Sequence, residues 1–135
     1  FQKMINNKII KIASNTKNVG LTNKYSFKSN LKNSLCGDRI KLELTVKKSI
    51  IDSMKYETES CIYCEASASL LASKIKKLKI YTVIEELTLL RKLIKEEKLA
   101  FPSHFRDFKI LINKKNSNRI NCINLPFDAV LKALS

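Results

Sequence analysis

Glycine is almost missing from this sequence: Gly20 and Gly37 are the only two in 135 residues. A phosphate-cradling loop or a dinucleotide fingerprint needs several residues without a Cβ at fixed spacing, so classical nucleotide enzymes are excluded. Histidine is scarcer still, with His104 alone, which removes the material for a histidine-rich metal site and for most imidazole acid–base chemistry. Within Pro102-Ser103-His104-Phe105 that histidine reads as a surface residue rather than a ligand. There is no tryptophan and no cluster of aromatic with basic residues, so the stacking platforms of single-strand nucleic-acid binders are lacking. Long apolar runs are lacking too: the stretch Leu87 to Leu90 is broken at once by Arg91, and nothing spans a bilayer core of about 30 Å. Around Lys3, Lys8 and Lys11 the apolar pieces are too short for a secretory signal. The expected location is the cytoplasm, or an organelle matrix if a targeting segment has been removed.

What remains is a chain of 15.5 kDa with 44% hydrophobic and 28% charged residues, the composition of one folded domain over residues 1–135. The net charge is +14, which brings nucleic acid, anionic membrane and acidic proteins into view as partners. Its make-up argues against nucleic acid. Only Arg39, Arg91, Arg106 and Arg119 are arginine, the rest being lysine in a chain that is also rich in Asn and Ile. An AT-rich coding sequence produces that bias without selection for binding, whereas base readout favours arginine.

The periodicity reads as mixed structure. Met4, Ile5, Ile9, Ile12 and Ala13 fall at helical spacing, and residues 15–34 read as an irregular connector with a short edge strand near Tyr25 to Phe27. Ile40, Leu42, Leu44 and Val46 alternate with Lys41, Glu43, Thr45 and Lys47, the pattern of a strand with one buried face. A second alternating set, Ile50, Met54 and Tyr56, makes an antiparallel hairpin with it. A turn centred on Lys48 pairs Leu42 with Met54 and Ile40 with Tyr56, and brings Cys36 near Ser60 and Asp38 near Thr58. Helical spacing then begins at Glu65, with Ala68, Leu71, Ala72, Ile75 and Leu78 on one face. A second helix is expected from about Thr82 to Lys98, with Thr82 and Glu85 as a capping box. Residues 103–121 are mixed, with a short helix near Phe105 to Leu111. A last helix is expected from about Leu125 to Leu134, opened by Pro126. These segments read as an antiparallel hairpin accompanied by several helices.

The four cysteines carry the chemistry. Cys36-Gly37-Asp38 sets a thiol and a carboxylate two residues apart, and the glycine lets the backbone bend so that both reach one centre. Cys61 lies across the hairpin at a helix start, where the positive end of the helix dipole favours a thiolate. Cys122 precedes the last helix and can supply a fourth ligand if that helix packs on the same end of the hairpin. Ala66-Ser67-Ala68-Ser69 leaves room for a metal, a cluster or an incoming loop, or simply permits close helix packing. Cys64, one turn after Cys61, is a spare ligand, a resolving thiol or a core residue. Cys61-x-x-Cys64 at a helix start also fits a thiol oxidoreductase, but the strand before it is antiparallel and that reading leaves Cys36 and Cys122 idle.

Three motifs in this order, Asn33-Ser34-Leu35-Cys36-Gly37-Asp38-Arg39-Ile40, Cys61-Ile62-Tyr63-Cys64-Glu65-Ala66-Ser67-Ala68-Ser69 and Arg119-Ile120-Asn121-Cys122-Ile123-Asn124-Leu125-Pro126-Phe127, resemble the SufU/IscU/NifU N-terminal family of iron–sulfur cluster assembly proteins. The resemblance runs from about Met4 to Leu134. It implies an α+β fold of the SufE/NifU-like kind, a small antiparallel sheet packed against several helices, and a site of Cys36, Asp38, Cys61 and Cys122, which in IscU-like members receives sulfur from a cysteine desulfurase and assembles a [2Fe–2S] cluster. In SufU-like members it holds zinc and accepts persulfide sulfur on a cysteine liberated from the metal, and Cys36, on its flexible Cys-Gly-Asp turn, is the expected acceptor here. Downstream iron–sulfur assembly or acceptor proteins are the implied further partners. IscU-like members have a histidine just before the last cysteine, where this chain has Asn121. The Cys61 to Cys122 interval of 61 residues, and Arg119 three before that cysteine, are similar to SufU-like sequences. The Leu-Pro-Pro-Val-Lys chaperone motif is lacking, the glycine usual before the second cysteine is Ser60, and Cys64 is an added thiol.

Overall fold

The structure is a computed structural model and describes residues 7–135. Helix α1 (Asn7–Ala13) leads into strands β1 (Phe27–Lys32), β2 (Arg39–Lys47) and β3 (Ile50–Glu59). Helices α2 (Ile62–Ile75) and α3 (Ile80–Lys95) follow, then 3₁₀ turns over Ser103–Ile110 and Lys114–Arg119, and finally α4 (Ile120–Leu134). The strands form one antiparallel sheet in the order β1-β2-β3. The α+β architecture that the resemblance implies is therefore present, although Met4 and Ile5 of the first expected helix lie outside the described residues.

Burial follows the patterning. Ile40, Leu42 and Leu44 of β2 and Ile51, Met54 and Tyr56 of β3 point into the core. Helices α2 and α4 cover that face, α1 lies against α2, and α3 packs on α4. Phe105, Phe108 and Phe127 are fully buried, with Phe108 and Phe127 meeting edge to face at 5.0 Å between centroids. Each such side chain is worth about 1.5–3 kcal/mol of burial.

The hairpin register differs from the expected one by two residues: Leu42 pairs with Tyr56, Leu44 with Met54 and Ile40 with Thr58. The turn is a tight pair, Lys48 and Ser49, both at positive φ (52° and 65°), the geometry of a two-residue hairpin loop. A bulge between the Thr45↔Ser53 and Val46↔Ile51 pairs leaves Asp52 as an extra residue in β3. That residue switches the inward set, so Ile51 is buried and Ile50 is 38% exposed. Because a shift of two preserves the face of every other residue, the apolar pairing survives.

Three helix boundaries also move. The α2 helix begins at Ile62, so Cys64 lies inside it and Cys61 is its N-cap. The α3 helix begins at Ile80 with Lys79 as N-cap, and no side chain caps it. Its start is set instead by the Ile80 N–H, which donates to the Ser49 carbonyl of the hairpin turn at 2.8 Å. The α4 helix begins at Ile120, placing Pro126 in its interior and Cys122 in its first turn. Pro126 takes one hydrogen bond away from the Cys122 carbonyl. Burial of Cys122, Ile123, Leu125, Phe127, Ala129 and Val130 along the same helix offsets that loss.

Candidate metal centre

Cys36 and Asp38 sit on the connection from β1 to β2, and one side chain shapes it. Asn33 Oδ1 accepts from the Leu35 N–H at 2.9 Å, its carbonyl accepts from Gly37 N–H at 2.7 Å, and its N–H donates to the Asp38 carbonyl at 2.7 Å. Gly37 has φ of +77°, the left-handed region open to a residue without a Cβ. This turn lifts Cys36 into an exposed position while Asp38 is buried. Asn33 had no role in the sequence-based expectation. Its signal was Asn three residues before Cys-Gly, the habit of side chains that fold back on a turn.

The carboxylate of Asp38 meets the start of α2. Oδ1 accepts from the Cys61 N–H at 3.3 Å, and Oδ2 accepts from the Cys61 thiol at 3.5 Å. Cys61 caps α2 without a side-chain cap bond of its own, so a carboxylate from the β1–β2 connection stands at the positive end of the helix. From the far end of the chain, the Cys122 thiol donates to Cys36 Sγ at 3.5 Å. Cys122 lies in the first turn of α4. The starts of two helices thus face one point.

One ligand atom from each of Cys36, Asp38 and Cys122 falls within 4.8 Å of the others. Cys61 stands just outside that triangle, joined to it through Asp38 and adjoining the Cys122 thiol. Cys64 is fully buried behind them, within hydrogen-bonding reach of Ser60. His104 is remote in role: its Nδ1 pairs with Glu86 at 2.7 Å on the surface. The small residues of α2 serve packing, since buried Ser67 donates its hydroxyl to the Ile123 carbonyl of α4 at 2.7 Å. That contact brings Cys61 and Cys122 to the same end of the fold.

The electrostatics call for a cation. Burial pushes the Cys122 thiol well above its ordinary value, and its neighbours Cys36, Cys61 and Asp38 push it the same way. Three thiols and a carboxylate cannot all ionise side by side without a counter-charge. The Cys36–Cys122 sulfur separation of 3.5 Å is close to the roughly 3.8 Å edge of a tetrahedron with zinc–sulfur bonds of about 2.3 Å. Soft thiolates with one carboxylate suit zinc or an iron–sulfur cluster. The donor set therefore fits either group. Nearby, the Arg119 guanidinium lies 5.5 Å over the Tyr63 ring at the start of α4.

Fold and site together define a small thiol-bearing α+β domain of the cluster-assembly kind. The NifU-like N terminal domain family matches residues 4–134, and the chain belongs to it. Among characterised relatives, it is 28% identical to the zinc-dependent sulfurtransferase SufU of Bacillus subtilis, over 90% of this chain and 82% of that protein. It is 27% identical to the iron–sulfur cluster assembly scaffold protein IscU of Thermotoga maritima, over 99% of this chain and 94% of that one. Among solved structures, a nitrogen-fixing NifU-like protein (N-terminal) from Brucella abortus superposes with a TM-score of 0.85 at 21% identity, covering 96% of this chain and 90% of that one. An iron–sulfur cluster assembly scaffold protein for the SUF system from Fervidobacterium islandicum gives 0.84 at 19%, covering 99% and 98%. These two share the fold. No helix of the described residues is long and apolar enough to cross a membrane.

Proposed function

We propose that this chain accepts persulfide sulfur from a cysteine desulfurase at a zinc site made of Cys36, Asp38, Cys61 and Cys122. The chain is an iron–sulfur cluster assembly protein of the SufU/IscU type, and this reading assigns it the SufU manner of working. The observation that carries it is the meeting of Cys36, Asp38 and Cys122 within 4.8 Å, with the Cys61 thiol on the same carboxylate. The zinc-dependent relative and Asn121 in the place of a cluster-type histidine support zinc.

Bound zinc supplies a divalent charge that keeps the thiols ionised at neutral pH. Cys36 is the exposed thiol of the set, on a turn with Gly37 at its apex, and is the one a partner's cysteine can approach. Its thiolate attacks the outer sulfur of the desulfurase persulfide. A new S–S bond forms at Cys36, the donor's S–S bond breaks, and the donor cysteine leaves as a thiolate. Asp38 keeps the α2 start and the Cys61 thiol in place meanwhile. A desulfurase of the SufS kind and downstream iron–sulfur proteins are the partners this requires.

A second reading, a scaffold with a [2Fe–2S] cluster as its cargo on the same residues, is favoured by the near full-length match to an IscU scaffold. Elemental analysis of the native protein separates the two. One zinc per chain, with sulfur uptake abolished in Cys36→Ala, is the expected result. A coloured two-iron species after anaerobic reconstitution supports the scaffold, and normal sulfur uptake by Cys36→Ala overturns the first reading.

A further inference from the structure

Three thiols stand in order of increasing burial on one side of the site: Cys36 exposed, Cys61 intermediate and Cys64 buried. Cys64 has no part in the sulfur uptake described above. It lies three residues after the N-cap Cys61 in the first turn of α2. That spacing keeps the two residues within the range a disulfide needs. Cys64 is close enough to feel the charges of Cys61, Asp38 and Cys36, and both Cys36 and Cys61 adjoin the Cys122 thiol.

We propose that Cys61 and Cys64 form a two-electron dithiol that takes sulfur from Cys36 and releases it as sulfide, so that this chain reduces the sulfur it accepts. The inference rests on the sulfur-acceptor reading of Cys36. In the first step the Cys61 thiolate attacks the outer sulfur of the Cys36 persulfide. A bond from Cys61 to that sulfur forms, the Cys36 S–S bond breaks, and Cys36 leaves as a thiolate. In the second step the Cys64 thiol, giving up its proton, attacks Cys61 Sγ. The Cys61–Cys64 disulfide forms, which withdraws Cys61 from the donor set of the metal site, and the outer sulfur departs as hydrosulfide. The dithiol has lost two electrons, and the transferred sulfur has been reduced from the sulfane level to sulfide. A dithiol reductant returns the pair to its starting state.

Burial selects this reaction. Cys64 is fully buried, so the electrophilic sulfur that can reach it is one already bonded to Cys61. Desolvation pushes the Cys64 thiol up to about 12, which keeps the ionised fraction small. Intramolecular placement offsets this, since well-oriented groups react as though at about 10⁵ M or more. A persulfide carries its outer sulfur about 2 Å beyond its cysteine, which extends the reach of Cys36 toward the thiols that adjoin Cys122.

The test uses the full chain, thiols reduced and free reductant removed under anaerobic conditions, mixed with one equivalent of a low-molecular-weight persulfide such as glutathione persulfide. Sulfide is measured in solution and the sulfur state of each cysteine by peptide mass. The wild type is expected to release about one sulfide per chain and to gain a Cys61–Cys64 disulfide. Cys64→Ala is expected to keep an added sulfur on Cys36 or Cys61 and to release at least tenfold less sulfide. Equal sulfide release by Cys64→Ala, or a wild type that holds its added sulfur without the internal disulfide, overturns the inference and leaves sulfur acceptance standing. A chain that takes up no sulfur overturns both. The mapping of the wild type decides the matter even if Cys64→Ala folds poorly.

Discussion

Asn33 ties the first thiol of the site to the last: its Nδ2 donates to the Asn121 carbonyl at 3.0 Å, across 88 residues of chain. The same side chain folds the turn that carries Cys36, through the Leu35 N–H. Cys36 and Cys122 therefore share one clamp. Asn33→Ala is expected to cost about 1–2 kcal/mol in urea unfolding and to weaken zinc binding by about 10–100-fold in chelator competition. Asn33→Asp keeps the bond to Leu35 and loses the one to Asn121, so it should fall between. Unchanged zinc affinity in Asn33→Ala would show that the turn holds Cys36 without it.

Asp38 has two separable duties. It accepts the Cys61 N–H at the α2 start and faces the Cys61 thiol. Asp38→Asn retains an acceptor for the helix start and loses the charge, whereas Asp38→Ala loses both. Asp38→Ala is expected to lower stability by about 0.5–2 kcal/mol, with Asn costing less. Both should hold zinc more weakly than the wild type. Thermal melts with and without chelator check this, and equal melts for the two variants without metal would refute the capping duty.

How far these duties could be read from the sequence depends on the range of the interaction. Period-two alternation in residues 40–47 marks β2, and Cys36-Gly37-Asp38 marks a thiol beside a carboxylate, because both signals are local, whereas the approach of Cys122 to that pair is tertiary. The register slipped by two for two reasons: the turn centres between Lys48 and Ser49 rather than on Lys48, and one extra residue, Asp52, is invisible to alternation until the partner strand is known. The start of α4 was placed too late because Pro126 signals a first turn, and the burial that carries the helix past it is tertiary. Glu43 shows the same limit. Its place in the alternation argues for a solvent-facing side chain, yet it is buried, held by a loop about twenty residues earlier that no local pattern connects to it.

That carboxylate is a structural clamp. Glu43 Oε1 accepts from the Thr22 N–H at 2.8 Å and from its hydroxyl at 3.1 Å, and Oε2 accepts from the Asn23 N–H at 2.9 Å. Asn23 sits at φ of 62°, so the loop needs this support to hold its shape. Glu43→Ala should cost about 3 kcal/mol, from hydrogen bonds to a charged acceptor and the donors left unpaired. Metal stoichiometry should not change, since Glu43 has no contact with the thiols. Urea midpoints and elemental analysis test the two halves separately.

Alkaline pH should loosen the fold through Cys64. Its thiol is raised from 9.0 to about 12 by burial, so the unfolded chain loses this proton near pH 9 while the folded chain keeps it. The stabilisation is complete below pH 9 and is lost as pH rises from there toward 12, at up to about 1.4 kcal/mol per pH unit. Buried Tyr56, also raised, adds in the same direction. Cys64→Ala should therefore show a shallower fall of urea midpoint between pH 8.5 and 10.5 than the wild type, without becoming flat. In the native state Cys64 should also resist iodoacetamide while Cys36 reacts. Identical slopes for the two proteins would remove Cys64 from the account.

Ser67 fixes how closely the second and third cysteine segments approach. Its hydroxyl donates to the Ile123 carbonyl at 2.7 Å, and the side chain is fully buried between α2 and α4. Ser67→Ala keeps the close approach and loses one bond, at about 1 kcal/mol, and should leave zinc stoichiometry at the wild-type value. Ser67→Leu forces the helices apart at about 1–3 kcal/mol. Because Cys61 starts one helix and Cys122 starts the other, spreading them opens the site. Ser67→Leu should thus lose zinc affinity out of proportion to its stability, by at least tenfold beyond Ser67→Ala. Matching affinities in folded samples of the two variants would mean that the metal site tolerates the helix separation.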